Sequence, residues 1–88
     1  MVSREVKIIN SIGLHARPAT FFIQKANFFT CNVWVEKDDR KVNAKSLLGV
    51  LSLGISQGAT ITIIADGSDE VDAVAGLTAL VESKFAGI

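Results

Sequence analysis

At 88 residues the chain has the length of one small domain, and 49% of its residues are hydrophobic while 20% are charged. This composition supplies enough apolar material for a core and argues against a disordered chain. Nine basic and nine acidic residues cancel, so net charge does not indicate binding to nucleic acid or to an anionic membrane. The one cysteine, Cys31, cannot form an internal disulfide. We expect a cytoplasmic domain over 1–88 that is not inserted into a membrane and has no signal peptide.

Hydrophobic periodicity divides the chain into strands and helices. The predicted elements are a strand (2–9), a helix (16–27), two strands of a hairpin (30–36 and 41–43) around a polar turn (37–40), a short helix (47–53), a strand (59–66) and a last helix that begins near 69. In the strands apolar and polar residues alternate, so one sheet face packs on helices and the other faces solvent. The pattern therefore predicts an α+β fold, an antiparallel four-stranded sheet covered on one side by three helices.

Each long helix is predicted to bury one apolar stripe. In the first helix the stripe comprises Ala19, Phe22, Ile23 and Ala26, and we expect the core to include Phe21, Phe28 and Phe29 as well. In the last helix the expected stripe comprises Val71, Val74, Ala75, Thr78, Val81 and Phe85. Asp69 and Glu70 are expected in its first turn, where the helix dipole favours negative charge. The segment from Phe85 to 88 is expected to trail off.

The segment 10–20 holds the only histidine and the only proline of the chain. His15 falls where the first strand's loop becomes the first turn of a helix, whose leading N–H groups lack partners and attract anions. Arg17 adds a permanent positive charge two residues away, and Pro18 suits a first helical turn. The pattern indicates an imidazole beside a phosphate-sized anion site. A capping or surface histidine with a solvated Arg17 fits the same spacing.

Ser46 is a good N-cap for the short helix at 47–53. Three leucines of that helix fit a core, an exposed patch or both: Leu47, Leu48 and Leu51. Cys31 fits a small core or strand residue better than a catalytic thiol. Trp34 is predicted on the solvent face of the sheet, opposite Val33 and Val35. Nothing in the pattern indicates a bound metal or a cofactor.

Two segments resemble a known family. Segment 13–19 (GLHARPA) resembles the active-site signature of HPr, the histidine-containing phosphocarrier family of the bacterial phosphoenolpyruvate-dependent sugar phosphotransferase system. Segment 43–54 (NAKSLLGVLSLG) resembles that family's regulatory-serine segment, and the resemblance extends over essentially the whole chain without gaps. It implies the strand order 1-4-2-3 of an open-faced β-sandwich. It also implies a carrier rather than an enzyme with its own turnover.

The resemblance further implies roles for particular residues. His15 would accept a phosphoryl group on Nδ1 from phosphorylated enzyme I, and Arg17 with the amides of Ala16 and Arg17 would hold the phosphoryl oxygens. Sugar permease A domains would be the acceptors. Ser46 would be phosphorylated by HPr kinase/phosphorylase, in connection with a catabolite-control transcription factor. The implied partner surface comprises Thr20, Leu47, Leu48 and Leu51, on a monomer.

The chain also departs from the family pattern. Leu47 and Leu48 stand where isoleucine, methionine or phenylalanine are usual, and the phenylalanine pairs at 21–22 and 28–29 are unusual. Two other classes of function remain open. A small-molecule regulatory domain would line a pocket with Gly13 and His15, and a scaffold domain would use the leucines alone. The sequence favours an RNA-binding sheet less than these two classes, because the strands lack paired aromatic residues.

Overall fold

The computed structural model describes residues 1–11 and 13–85, apart from the side chain of Ala16. Of the segment 85–88 that was expected to trail off, 86–88 lies outside the described residues, and Phe85 is instead buried. The elements in chain order are β1 (Val2–Lys7), α1 (Ala16–Phe28), β2 (Asn32–Lys37), β3 (Arg40–Asn43), α2 (Leu47–Ser52), β4 (Thr60–Asp66) and α3 (Glu70–Glu82). All strand pairs are antiparallel and the sheet order is β1-β4-β2-β3, so the expected fold and strand order are confirmed.

The core lies between the helices and one face of the sheet. Along β4, Ile61, Ile63 and Ala65 are fully buried, and β2 contributes Val33 and Val35, as the alternation predicts. Because each fully buried aliphatic or aromatic side chain stabilises the fold by about 1.5–3 kcal/mol, this layer provides much of the driving force. The largest fully buried side chains include Phe22, Ile8, Leu14, Ile55, Ile61, Ile63 and Leu77.

The other face of the sheet is open but not bare. Trp34 lies there as predicted, half-buried and opposite Ile64 of the neighbouring strand. The Lys41 ammonium lies 5.2 Å from the centre of the Trp34 ring. The polar turn expected over four residues is a two-residue turn, because Lys37 already pairs with Arg40. Its central residues, Asp38 and Asp39, have φ angles of 50° and 68°, as a tight hairpin turn requires.

Two predictions about buried helix faces are wrong. Phe28 is 70% exposed, because six residues at 100° each place it about 120° around α1 from the buried Phe22. In α3, Val71 is 65% exposed and Ala75 is exposed too, whereas Ala73 and Leu77 are buried. The expected stripe was rotated because apolar residues occupy nearly every side of α3, so periodicity does not select one face. Thr78, Val74, Val81 and Phe85 are buried as expected.

Asp69 lies one position earlier than expected, at the N-cap of α3 rather than in its first turn, which holds Glu70 and Asp72.

The expectation that the chain is not inserted into a membrane is tested by the length and hydropathy of its helices. Among the described residues, no helix is both long enough and apolar enough to span a bilayer.

Candidate functional site

His15 is exposed at the N-cap of α1, with φ −121° and ψ 157°. Its backbone is therefore extended where the loop ends and the helix begins. Its side chain makes no capping hydrogen bond to the helix. The alternative in which the His15 side chain caps the helix is thus wrong, and the imidazole is exposed to solvent, as both the functional interpretation and that of a plain surface histidine require.

The first turn of α1 presents backbone donors beside this imidazole. Ala16 and Arg17 are its first two helical residues, and their N–H groups have no carbonyl four residues earlier within the helix. Pro18 follows as the third helical residue, where the absence of an N–H costs little. No acidic side chain lies in this turn, so the positive end of the helix dipole is not offset there. This arrangement favours an anion.

Arg17 is exposed, and none of the ion pairs among the described residues includes it. Its guanidinium carbon lies 5.8 Å from the centre of the Phe21 ring, one turn further along α1. Such a cation–π contact orients the guanidinium without neutralising it. The structure therefore places a permanent positive charge two residues from His15.

A fixed loop holds His15 in place. Gly13 has φ 62°, and a Cβ atom there would stand 2.4 Å from the Ile55 carbonyl oxygen, so only glycine fits. Next to it, the buried Leu14 donates its N–H to the same Ile55 oxygen at 3.0 Å. Asn10 donates from Nδ2 to the Gly13 carbonyl oxygen at 2.7 Å. No local pattern predicts the contact with Ile55, because Leu14 and Ile55 are about 40 residues apart in the chain.

The short helix α2 runs between Ser46 and the segment that carries Ile55. Ser46 caps it as predicted, since its Oγ accepts the Gly49 N–H at 3.1 Å. At the other end Arg40 donates from Nη1 to the Ser52 carbonyl oxygen at 2.9 Å, and from Nη2 to Ser52 Oγ at 3.2 Å. Both ends of α2 are therefore satisfied by side chains.

The leucines of α2 form a surface patch rather than core. Leu47, Leu48 and Leu51 are 45%, 80% and 36% exposed, whereas Val50 is fully buried. Thr20 on α1 is exposed as well. Val50 is the fully buried residue of α2, and the exposed parts of the three leucines are available for contacts with another molecule. We refer to them below as the leucine patch.

The carboxylate of Asp69 makes contacts that the sequence pattern does not predict. Asp69 accepts the N–H of Thr30 at 2.8 Å and the N–H of Cys31 at 2.9 Å. Hydrogen bonds with the Cys31 thiol and the Thr30 amide lower the pKa of Asp69 to about 2. Burial, with this carboxylate beside it, raises the pKa of the Cys31 thiol to about 11, so the thiol is not a reactive nucleophile. No local pattern signals this contact, because 38 or 39 residues separate its partners.

The fold and this site define a class, namely a small open-faced α+β sandwich with an exposed histidine at the start of its first helix. The family described as "PTS HPr component phosphorylation site" matches residues 2–83. The chain therefore belongs to the HPr family of phosphocarrier proteins and their relatives.

Individual relatives agree with this assignment. The HPr-like protein Crh of Halalkalibacterium halodurans is 48% identical over 84 residues, which are 96% of this chain and 100% of that protein. The phosphocarrier protein HPr of Neisseria meningitidis is 41% identical over 85 residues, 97% of this chain and 96% of that protein. A crystal structure of HPr from Thermoanaerobacter tengcongensis has a TM-score of 0.97 at 49% identity and covers 100% of this chain and 99% of its own.

A further structural relative bears on oligomeric state. The crystal structure of Crh from Bacillus subtilis, a dimer with a swapped domain, has a TM-score of 0.76 at 48% identity and covers 96% of this chain and 97% of its own. That arrangement is a property of Crh. The expectation that this chain is a monomer stays a prediction.

Proposed function

We propose that this protein is a cytoplasmic phosphocarrier, a single domain that accepts a phosphoryl group on His15 from phosphorylated enzyme I and passes it to sugar permease A domains. One observation carries the proposal. His15 is an exposed imidazole that the helix does not use as a cap, and two helix-start amides and Arg17 stand beside it.

The chemistry follows from these groups. A neutral ring nitrogen of His15, Nδ1 in this proposal, attacks phosphorus as the bond to the donor breaks, and the new N–P bond keeps the phosphoryl group transferable. Phosphoryl transfer needs positioning and charge stabilisation above all. The amides of Ala16 and Arg17 donate to the phosphoryl oxygens, and the Arg17 guanidinium adds charge-assisted hydrogen bonds. In the transfer to the acceptor, a nucleophile of the permease A domain attacks phosphorus as the N–P bond breaks, which returns His15 to the neutral imidazole.

The leucine patch and Thr20 supply the partner surface in this proposal. Leu48, 80% exposed, is its most accessible apolar member. Interfaces draw most of their energy from a few apolar anchors surrounded by a polar rim. Enzyme I and the permease A domains would each cover this surface while His15 meets the phosphoryl group.

A regulatory function at Ser46 is the second candidate. It is favoured by the half-buried position of Ser46 at the N-cap of α2, next to Leu47 and Leu48. It is also favoured by similarity to Crh, one structure of which is described as the catabolite repression HPr of Bacillus subtilis. In this proposal HPr kinase/phosphorylase modifies Ser46, and the modified protein contacts a catabolite-control transcription factor.

The experiment for the main proposal is intact-mass measurement after incubation with enzyme I and phosphoenolpyruvate. We expect the mass to rise by one phosphoryl group, with an adduct that is labile in acid and stable in alkali. His15→Ala should accept nothing and should melt like the wild type, because the imidazole does not cap the helix. Labelling of His15→Ala by enzyme I would overturn the proposal.

A further inference from the structure

A groove between α1 and α3 lies outside the site described above. It has a volume of about 300 Å³ and is lined by Phe21, Gln24, Lys25, Phe28 and Leu80. On α1 these residues lie roughly 60° to 160° around the helix from the buried Phe22, all to the same side of it. None of them belongs to the leucine patch, the proposed phosphoryl site or the Ser46 site. The groove borders the phosphoryl site, because Phe21 lies under Arg17.

The aromatic wall of this groove is exposed to solvent and packs against a neighbouring ring. Phe28 is 70% exposed, and its ring packs edge-to-face on Phe29 with the ring centres 5.3 Å apart. Phe29 is itself held against α3, since a Cβ atom on Gly76 would lie 3.1 Å from its Cζ. An apolar ring that is presented to solvent by a packed neighbour is the kind of anchor that protein interfaces use.

The charge around the groove is positive. The sequence of α1 contains no acidic residue, and its two cations both stand over aromatic rings of its outer side. Lys25 Nζ lies 5.7 Å and 5.9 Å from the ring centres of Phe28 and Phe29, and Arg17 lies over Phe21. Neither cation takes part in the ion pairs found within residues 1–11 and 13–85. Along α3 the acid nearest to Leu80 is Glu82, two residues further on, which lies about 200° around the helix and so points away from Leu80. The other acid on this part of the helix, Asp72, lies one helical turn before Gly76.

We propose that this groove binds an acidic amphipathic helix of a partner protein. Its apolar side chains would pack on Phe21, Phe28 and Leu80, and its carboxylates would pair with Lys25. A groove between two helices suits a helical occupant, and Phe21 to Phe28 spans about two turns, or roughly 10 Å. A second copy that docked by the same face would bring two Lys25 ammonium groups together, which charge repulsion disfavours. The proposal goes beyond phosphoryl transfer and does not depend on His15.

The test uses two synthetic peptides of roughly 14 residues, the length at which a helix begins to persist in water. One carries leucines at helical spacing flanked by glutamates, and the other has lysine in place of each glutamate. Each is titrated into the ¹⁵N-labelled protein and followed by amide chemical shifts. The glutamate peptide should cause saturable shifts at Phe21, Lys25, Phe28 and Leu80, and the lysine peptide should not.

Three variants sharpen the test. Lys25→Glu and Phe28→Ser should each weaken binding of the glutamate peptide by about five- to tenfold. Lys7→Glu, a matched charge reversal on the exposed side of β1, should leave it unchanged. If Lys25→Glu fails to fold, Lys25→Gln removes the charge alone and should weaken binding by about two- to fivefold. Phe28→Ser should fold normally because Phe28 is exposed.

Several results would overturn the proposal. These are equal binding of the two peptides, no shifts at all, shifts confined to the leucine patch, and binding that both variants leave unchanged. A dimer that Phe28→Ser dissociates would assign the groove to a second copy instead. Phe28-dependent sedimentation with phosphatidylglycerol vesicles, without peptide binding, would assign it to a membrane surface.

Discussion

Arg17 is the residue whose replacement best separates chemistry from stability. A cation near a helix start is unfavourable by roughly 0.3–1 kcal/mol, and its contact with Phe21 returns a similar amount. We therefore expect Arg17→Ala to leave the melting temperature almost unchanged. Because the variant loses charge-assisted hydrogen bonds of about 1.5–3 kcal/mol, phosphoryl transfer should slow by roughly tenfold to a hundredfold.

Single-turnover rates with phosphorylated enzyme I measure this effect, alongside thermal melting of the same samples. Arg17→Lys is the matched control, since it keeps the charge but loses the planar fork of donors, and its rate should be intermediate. Equal rates for the wild type and both variants would remove Arg17 from the site.

The lowered pKa of Asp69 leads to a prediction about the stability of the protein at low pH. Its pKa in the folded protein, about 2, lies below the ordinary value of 3.8. Its contribution to stability is therefore complete above about pH 4 and is lost as the pH falls towards 2. The melting temperature of the wild type should fall more steeply over this window than that of Asp69→Asn.

Asp72→Asn, an exposed change on the same helix, serves as the control and should follow the wild type. If the melting temperatures of the wild type and Asp69→Asn fall equally between pH 4 and pH 2, the hydrogen bonds to Thr30 and Cys31 do not stabilise the fold.

Residues signalled by local sequence were placed well, and residues defined by distant contacts were not. Ser46 was predicted as an N-cap because capping depends on the next three residues, and the Gly49 N–H bonds to it. The positions of His15 and Arg17 at the start of α1 were predicted from the same kind of local pattern, and their roles in phosphoryl transfer stay predictions. The hydrogen bonds of Asp69 were not predicted, because its partners at 30 and 31 reach it only through the tertiary fold.

Among the elements, α2 has a buried side that packs on the core and an exposed side that we propose binds partner proteins. Leu48→Ala should weaken binding to enzyme I or to a permease A domain and change the melting temperature little, because Leu48 is 80% exposed. Val50→Ala should do the reverse. It shortens a fully buried side chain and should lower the free energy of unfolding by about 1–3 kcal/mol. The affinity of the folded variant for its partners should stay unchanged. Calorimetric titration and thermal melting of both variants check this, and a Leu48→Ala that only lowers the melting temperature would contradict it.

Ser46 allows a sharper test of the same element. A phosphate there adds about −1.5 to −2 charge beside Leu47 and Leu48. Aspartate is as good an N-cap as serine, so Ser46→Asp should keep the circular dichroism and melting temperature while it raises the half-saturation for transfer from phosphorylated enzyme I. Ser46→Ala should lose about 1 kcal/mol of stability through the missing cap and keep the half-saturation of the wild type. Equal half-saturation in all three proteins would leave Ser46 as a helix cap.

The elements themselves were predictable to within a few residues, because period two and period 3.6 are distinct in this chain. The face that each helix buries was less predictable. In α1 the sparse apolar pattern located Phe22 and Ala26 correctly, but Phe28 faces solvent. In α3 apolar residues surround the helix, so only packing against β1, β4 and α1 determines that Ala73 and Leu77 point inward.

At the scale of the whole molecule, alternation predicted a one-sided sheet, whereas the strand order came from family resemblance. Periodicity cannot give that order, since β1 pairs with β4 across more than fifty residues. The loop contact between Gly13 and Ile55 has the same origin. It forms only because β1 and β4 are neighbours and bring the segments that flank them together. The position of His15 is thus a property of the fold, although the residue itself is found by sequence.

The central claim is that the phosphoryl group on His15 is passed on. The direct measurement is to phosphorylate the protein with enzyme I, purify it, mix it with a permease A domain and follow both intact masses over time. We expect this protein to lose one phosphoryl group as the A domain gains one, and we expect His15→Ala to take no part in the exchange. Retention of the phosphoryl group on this protein in the presence of cognate A domains, or its loss to water alone, would contradict the proposed function.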